Sequence, residues 1–331
     1  MGVIYYCKEK FSIEYINKLK KFYKDIFQKG RNKGEVNTLK KRVRFITRTL
    51  FYLPQSLNIA DYIMGHKYLS EEILRYPVLT SKVHRPYLCN LFGVNKRLKS
   101  IKETYNFIDT YFPLEIVEGL YRNGEVELVE LKGSNEETYR IYLQLYSNFD
   151  KEGELIFKIL NSQEIPLSKI TFGFIKEKEI DTLFIGGIQG PYRTVDKDCI
   201  KEATKGLAGL FPKRILFEAI YALENSLNKK LDKVCVGNTT HAYVSKRYEK
   251  KKTINANYDD FLMSLNATEQ SNGLWKLPSE LVRKDILDVP SKKRSEYRKK
   301  NIILDDINIS ISKKFGREIK KRKEIEEYEK K

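Results

Sequence analysis

The chain has 331 residues, of which 41% are hydrophobic, 12% aromatic and 32% charged, a globular composition that excludes a disordered or fibrous chain. Its 62 Lys and Arg against 44 Asp and Glu leave a formal net charge of +18, which favours polyanionic partners: nucleic acid, anionic lipid head groups, lipopolysaccharide phosphates or acidic carrier proteins. The four cysteines, Cys7, Cys89, Cys199 and Cys235, form no C-x-x-C pair and no cluster with the three histidines, so no metal site is expected and a reducing, cytoplasmic compartment is.

At the N-terminus, the stretch from Met1 to Cys7 lacks the apolar core of a signal peptide, and no later run approaches the ~20 apolar residues of a membrane span. Tyr6 stands where a myristoylation motif after Gly2 needs Ser or Thr, so lipidation is not expected. From Ser12 to Gln28, Ile13, Ile16, Leu19, Phe22, Tyr23, Ile26 and Phe27 recur at helical spacing between lysines, which predicts an amphipathic helix. A second helical pattern runs through Leu39, Val43, Ile46 and Leu50, carries Lys40, Lys41, Arg42, Arg44 and Arg48, and is expected to stop at Pro54. A third spans Asn95 to Thr110, before Pro113.

At about Glu125 the period changes from helical to alternating. Glu125–Leu131, Tyr139–Tyr146, Glu154–Leu160, Lys169–Ile175 and Ile180–Ile188 read as successive strands, the last two apolar on both faces and so central in a covered sheet. A short helix is expected over Asp196–Lys205 and a strongly amphipathic one from Pro212 through Leu227, followed by a strand at Lys233–Val236. Tyr258–Phe261 and Leu274–Pro278 read as packed connections. The basic run Lys292–Lys300 and the alternating charge blocks from Lys313 onward read as a solvated helix and a tail. The fold class is α+β, a helical N-terminal layer packed on a mixed, mainly antiparallel sheet.

Several segments carry a family resemblance. They are His84-Arg85-Pro86-Tyr87, then Leu183-Phe184-Ile185-Gly186-Gly187-Ile188-Gln189-Gly190, then Thr204-Lys205 with Gly209-Leu210-Phe211-Pro212-Lys213. They continue with Gly237-Asn238 and His241, Tyr258-Asp259, and Lys293-Arg294-Ser295 with Tyr297-Arg298. In order and spacing the chain resembles the VirK/YbjX family of bacterial proteins over most of residues 40 to 305, departing at Ala208, where the family often carries His. That resemblance implies an association with virulence, the cell envelope and resistance to antimicrobial peptides, without an agreed chemistry.

By fold analogy, the order of elements from Glu154 to His241 is similar to the core of the Gcn5-related N-acetyltransferase fold. There two neighbouring parallel strands splay to admit a pantetheine arm; here Ile180–Ile188 and Lys233–Val236 would be that pair. The division expected is a helical region over 1–118, an acetyltransferase-like α/β core over 119–250 and a C-terminal extension with a basic helical tail over 251–331.

Candidate chemistry follows from these segments. Gly206 and Gly209 allow close backbone approach just before a helix start that carries Lys213 and Arg214, a pattern suited to the phosphates of an acyl-CoA or acyl-carrier thioester; the ordinary alternative is a turn and a helix start. His241, in a loop after a strand, suits a general base, with Asn238 and Gln189 as neutral hydrogen-bonding neighbours, against the alternative of a histidine satisfied within a polar turn. His84 and Arg85, and Lys293, Arg294 and Arg298, are candidate contacts to an anionic substrate, against an internal ion pair and a solvated helix face. The cations from Lys40 to Arg44, with Phe45, Phe51 and Tyr52, suit peripheral contact with an anionic inner-membrane surface. Aromatic residues are too sparse in the basic run for nucleic acid. No G-x-S-x-G, H-E-x-x-H or G-x-x-x-x-G-K-[ST] motif occurs. Two classes remain: an acyltransferase-like enzyme modifying an envelope component or a small amine, and a non-enzymatic factor binding anionic glycolipid, membrane or a partner protein.

Overall fold

The structure is a computed structural model, and it describes residues 12–29, 36–146, 149–192, 195–245 and 258–316. The N-terminal Gly2, Tyr6 and Cys7 and the charged tail beyond Gly316 lie outside the described residues. The chain divides into two compact units: residues 1–86 with 92–102, and residues 87–91 with 103–331.

The first unit is helical. It holds α1 (Ile13–Lys29), α2 (Leu39–Phe51), α3 (Leu53–Gly65), the short α4 (Leu69–Glu72) and a 3₁₀ stretch at Pro77–His84. Thr38 caps α2 by accepting from Lys41 N–H, one of the donors that a helix start leaves unpaired. The helical run ends at Phe51 and a new helix starts at Leu53 with Pro54 in its first turn, so Pro54 opens the next helix rather than closing the previous one. Phe45 is the buried anchor of α2, its ring set edge-on to Phe27 at 5.6 Å and to His84 at 5.6 Å.

The second unit carries an eight-stranded sheet in the order β1-β2-β3-β4-β5-β6-β8-β7. Its strands are β1 (Glu125–Lys132), β2 (Thr138–Leu145), β3 (Leu155–Leu160), β4 (Pro166–Glu177), β5 (Ile180–Gln189), β6 (Asp232–Val236), β7 (Thr268–Glu269) and β8 (Leu274–Lys276). Every pairing is antiparallel except β5 with β6, so the fold is α+β with a mixed, mainly antiparallel sheet. The five meander strands fall where the alternation predicts them. Leu274–Lys276 is a correction: the segment read as a connection is a short strand pairing with β6.

The crossover from β5 to the parallel β6 carries α7 (Lys197–Gly206), capped by the Asp196 side chain, and α8 (Pro212–Leu227). α8 lies over β3 and β4, and α10 (Arg294–Lys314) packs along α8 and beside β1. Buried Glu218 of α8 joins these parts: it pairs with Arg214 at 3.1 Å and Arg283 at 2.6 Å and accepts from Asn308 of α10 at 3.1 Å. The helix α5 (Val94–Tyr111), followed by the short α6 (Leu114–Glu118), contributes its C-terminal half, where Thr104 Oγ1 accepts from Phe174 N–H at 3.0 Å and donates to Phe174 C=O at 3.0 Å. That hydroxyl satisfies the edge of β4 beyond its last pairing with β3, at Phe172.

Candidate functional site

The parallel ladder between β5 and β6 runs from Thr182 opposite Asp232 to Ile185 opposite Cys235 and then stops, although β5 continues to Gln189. Two features produce the parting. Gly186 is an extra residue in β5: the register with β4 passes from Phe172–Ile185 to Thr171–Gly187, a bulge that bends the strand. Tyr258, the first residue of α9 (Tyr258–Ser264), then takes the place of a neighbouring strand. Its buried phenol donates to Ile188 C=O at 2.9 Å and accepts from Ile188 N–H at 3.0 Å. Burial, followed by the nearby Glu152 carboxylate, pushes that phenol well above the ordinary tyrosine range.

The polar centre beside the parting is built on Glu152. The turn from Phe149 to Gly153 lowers it into the sheet, and its buried carboxylate accepts from Gln189 Nε2 and lies 3.4 Å from His241 Nε2. Gly186 and Gly187 make room: a Cβ on the first would strike the Glu152 backbone, and one on the second its carboxylate.

His241 is 2% exposed. The turn that carries it needs Gly237, because a Cβ there would stand 2.8 Å from Gly273 O and from Trp275 Nε1. Thr240 closes the turn, its Oγ1 accepting from Gly237 N–H and donating to Gly273 O. The imidazole Nδ1 accepts from Tyr243 N–H at 3.2 Å, which places the proton of the neutral ring on Nε2, toward Glu152. The ring stacks on Tyr243 with centroids 5.4 Å apart, and Lys151 Nζ lies 4.8 Å from the far ring's centroid. A carboxylate facing an imidazole N–H stabilises the imidazolium formed on proton uptake, and uptake at Nδ1 requires that nitrogen to give up the Tyr243 N–H.

Of the residues picked from sequence, the structure brings Gln189 and His241 together through Glu152. Asn238 faces elsewhere: its Oδ1 accepts from Tyr258 N–H at 2.9 Å and its N–H donates to Asp259 Oδ1 at 3.0 Å, so it fixes the start of α9. Glu152, a carboxylate in a polar turn, carries no sign of burial in the sequence; the Gly186-Gly187 pair inside an otherwise apolar strand is the signal of a close approach.

The glycine loop leads from α7 to α8. Gly206 C=O accepts from Ser134 N–H at 2.9 Å, and α7 ends in a left-handed turn through Ala208 (φ +53°) and Gly209 (φ +80°), whose N–H groups donate to Lys205 C=O at 3.2 Å and Thr204 C=O at 2.7 Å. Lys213 is half-buried, with Nζ 4.6 Å from the Phe261 ring centroid, and burial lowers its pKa below the ordinary lysine value. Arg214 is held by Glu218. Lys213 and His241 therefore meet the same short helix, Lys213 at Phe261 and His241 at Tyr258, where ring centroids are 5.6 Å apart.

His84 and Arg85 belong to the first unit, where the His84 ring bonds Ser56 Oγ at 3.0 Å and stacks on Tyr52. Arg294 donates to Val289 C=O and Leu287 C=O, bracing the turn before α10, while Lys293 and Arg298 are exposed. A cleft of about 500 Å³ opens near the start of β6, the opposite end from His241, lined among others by Glu224, Lys229, Asp232, Lys233 and Lys276. Those charges pair internally: Lys233 with Glu224, Lys229 with Asp181, Lys276 with Asp232. Among the described residues there is no group of side chains suited to a metal ion and no helix long and apolar enough to cross a membrane.

Comparison with known proteins adds ancestry. A family model described as "Protein of unknown function (DUF535)" matches residues 34–313. The "Uncharacterized protein YbjX" of Escherichia coli (strain K12) is 31% identical over 275 residues, covering 83% of each chain. An uncharacterized protein of Haemophilus influenzae is 23% identical over 289 residues, 87% of this chain and 95% of that one. A second from the same organism is 28% identical over 181 residues, 54% of this chain and 58% of its own. No solved structure matches.

Proposed function

The chain belongs to the DUF535 family, in line with its VirK/YbjX resemblance, and from that premise we propose that it is an acyltransferase-like protein with a Gcn5-type core that modifies a cell-envelope component or a small amine from the cytoplasmic side. One observation carries the reading: β5 and β6 part after Ile185 and Cys235, and a buried Glu152–His241 pair sits beside the parting. In that place His241 Nδ1, once released from Tyr243 N–H, takes the proton of the attacking amine or hydroxyl as the acceptor's bond to the acyl carbon forms, and Glu152 balances the imidazolium. The carbon–sulfur bond breaks, and the thiolate leaves with the proton that His241 returns. Gln189 holds the carboxylate in position.

The donor's phosphates would meet the backbone N–H groups that open α8 and the Lys213 ammonium. A pantetheine arm between the strands requires the Tyr258 phenol to leave Ile188, so Tyr258 is the gate of this site. Titration calorimetry with a non-hydrolysable acyl-CoA analogue and with acyl-carrier protein tests the donor assignment. Binding that weakens at least about tenfold in Lys213→Ala/Arg214→Ala, the loss of one or two charge-assisted contacts, supports it. No binding of either donor, or equal binding by the variant, removes it.

The closed state of the centre favours a second reading, a non-enzymatic envelope or virulence factor. With His241 2% exposed and Tyr258 filling the gap, the buried network serves as scaffold while basic surfaces bind anionic glycolipid or a partner protein.

A further inference from the structure

Helix α2 has two apolar faces, and only one is used. Phe45 is buried, and the Arg42 guanidinium donates to Phe27 C=O at 2.8 Å and to Val36 C=O at 2.9 Å, so this side ties the helix into its unit. On the other side Leu39, Val43, Ile46 and Leu50 follow one another at steps of four, three and four residues, a single stripe along the helix. All four are exposed, Leu39 at 79% and Leu50 at 64%, with Phe51 beside them at 77%. Isolated exposed apolar residues are ordinary, but a contiguous stripe on a helix already anchored by its opposite face marks a surface made to be covered.

The charges around the stripe identify what covers it. α2 contains Lys40, Lys41, Arg42, Arg44 and Arg48 and no acidic residue, and the acid-free stretch extends from Val36 to Ala60. Lys40 and Arg44 lie on the Phe51 side of the helix, about 100° and 140° round from the stripe, both exposed and, among the described residues, in no ion pair. A helix with an exposed apolar stripe, several cations and no acid suits an interface whose interior is hydrocarbon and whose rim is phosphate, because long basic side chains can reach from the helix flank to the phosphates while the stripe enters the hydrocarbon. We propose that α2 docks the protein flat on an anionic phospholipid bilayer, with Leu39, Val43, Ile46, Leu50 and Phe51 entering the head-group boundary and Lys40 and Arg44 meeting lipid phosphates. This inference rests on neither reading of the buried centre.

Vesicle sedimentation of the full chain tests it. The wild type should pellet with phosphatidylcholine vesicles that contain phosphatidylglycerol, pellet far less with phosphatidylcholine alone, and release as salt rises. Lys40→Ser/Arg44→Ser should weaken binding to the anionic vesicles by about tenfold or more, since each cation near such a surface contributes roughly fivefold. Val43→Asp/Ile46→Asp should abolish it. Val43 and Ile46 are apolar yet exposed, and none of the four substituted side chains is buried, so thermal midpoints should stay at the wild-type value. The proposal is overturned if the wild type ignores anionic vesicles or if both variants bind as it does. It is also overturned if the stripe instead joins two copies, seen as a lipid-independent dimer in sedimentation velocity that Val43→Asp/Ile46→Asp dissociates.

Discussion

The Glu152 carboxylate fills the space that any side chain at Gly187 would occupy, and the same space adjoins Gln189 Nε2. A strand glycine and a buried acid are thus one feature, since neither makes sense in this core without the other. Gly187→Ala should push the carboxylate off Gln189 and cost about 2–3 kcal/mol, as overpacking a full core does. Denaturant unfolding checks this, and a midpoint equal to the wild type's would mean that Glu152 is not seated there.

Tyr258→Phe removes the hydroxyl that pairs both backbone groups of Ile188. Leaving a buried N–H and C=O unsatisfied should cost about 2–4 kcal/mol. Amide exchange at Ile188 should quicken well beyond that at Phe184, whose strand pairing is intact on both sides. Unchanged protection at Ile188 would show that the phenol is not its partner.

Glu218→Gln strips the charge that holds Arg214 and Arg283 while keeping the shape of the side chain. Arg214 loses its carboxylate partner while Arg283 keeps Asp305, so the change should cost about 2–3 kcal/mol, against less than about 1 kcal/mol for the exposed pair of Lys201 with Asp198. Thermal unfolding of the two variants side by side measures the contrast.

Lys213 has its pKa lowered from 10.5 by burial. Where the folded value lies below the unfolded one, the unfolded chain binds the extra proton, so this group penalises the fold at low pH and the penalty fades as pH rises through the folded pKa toward 10.5. The wild type should therefore gain stability relative to Lys213→Met across that window, with a constant difference below it. A difference that stays flat up to 10.5 would mean that the ammonium is solvated.

Much of the architecture was legible before the structure. The alternation in residues 125–145 and the apolar runs of Leu155–Leu160 and Leu183–Ile188 specify strands whichever neighbours they have, and Pro212 with its following apolar stripe specifies α8. Leu274–Lys276 was not legible, because a three-residue strand has too little period to declare itself and exists through its pairing with β6. Pro54 misled because proline both ends one helix and starts another. At the centre, His241 and Gln189 could be picked from their positions after strands, whereas Glu152 becomes visible only when the sheet brings the turn before β3 against Gly187.

In the proposed reaction, proton transfer at His241, supported by Glu152, drives acyl transfer beside the parted strands. Thiol release from a panel of acyl-CoA and acyl-carrier donors, followed for the wild type, His241→Gln and Glu152→Gln at matched folded fraction, distinguishes this chemistry from a scaffold role. The expected result is turnover of at least one donor by the wild type and a fall of about 10²–10⁴-fold in each variant. Turnover that is undiminished in His241→Gln, or absent from the wild type with every donor, would contradict it.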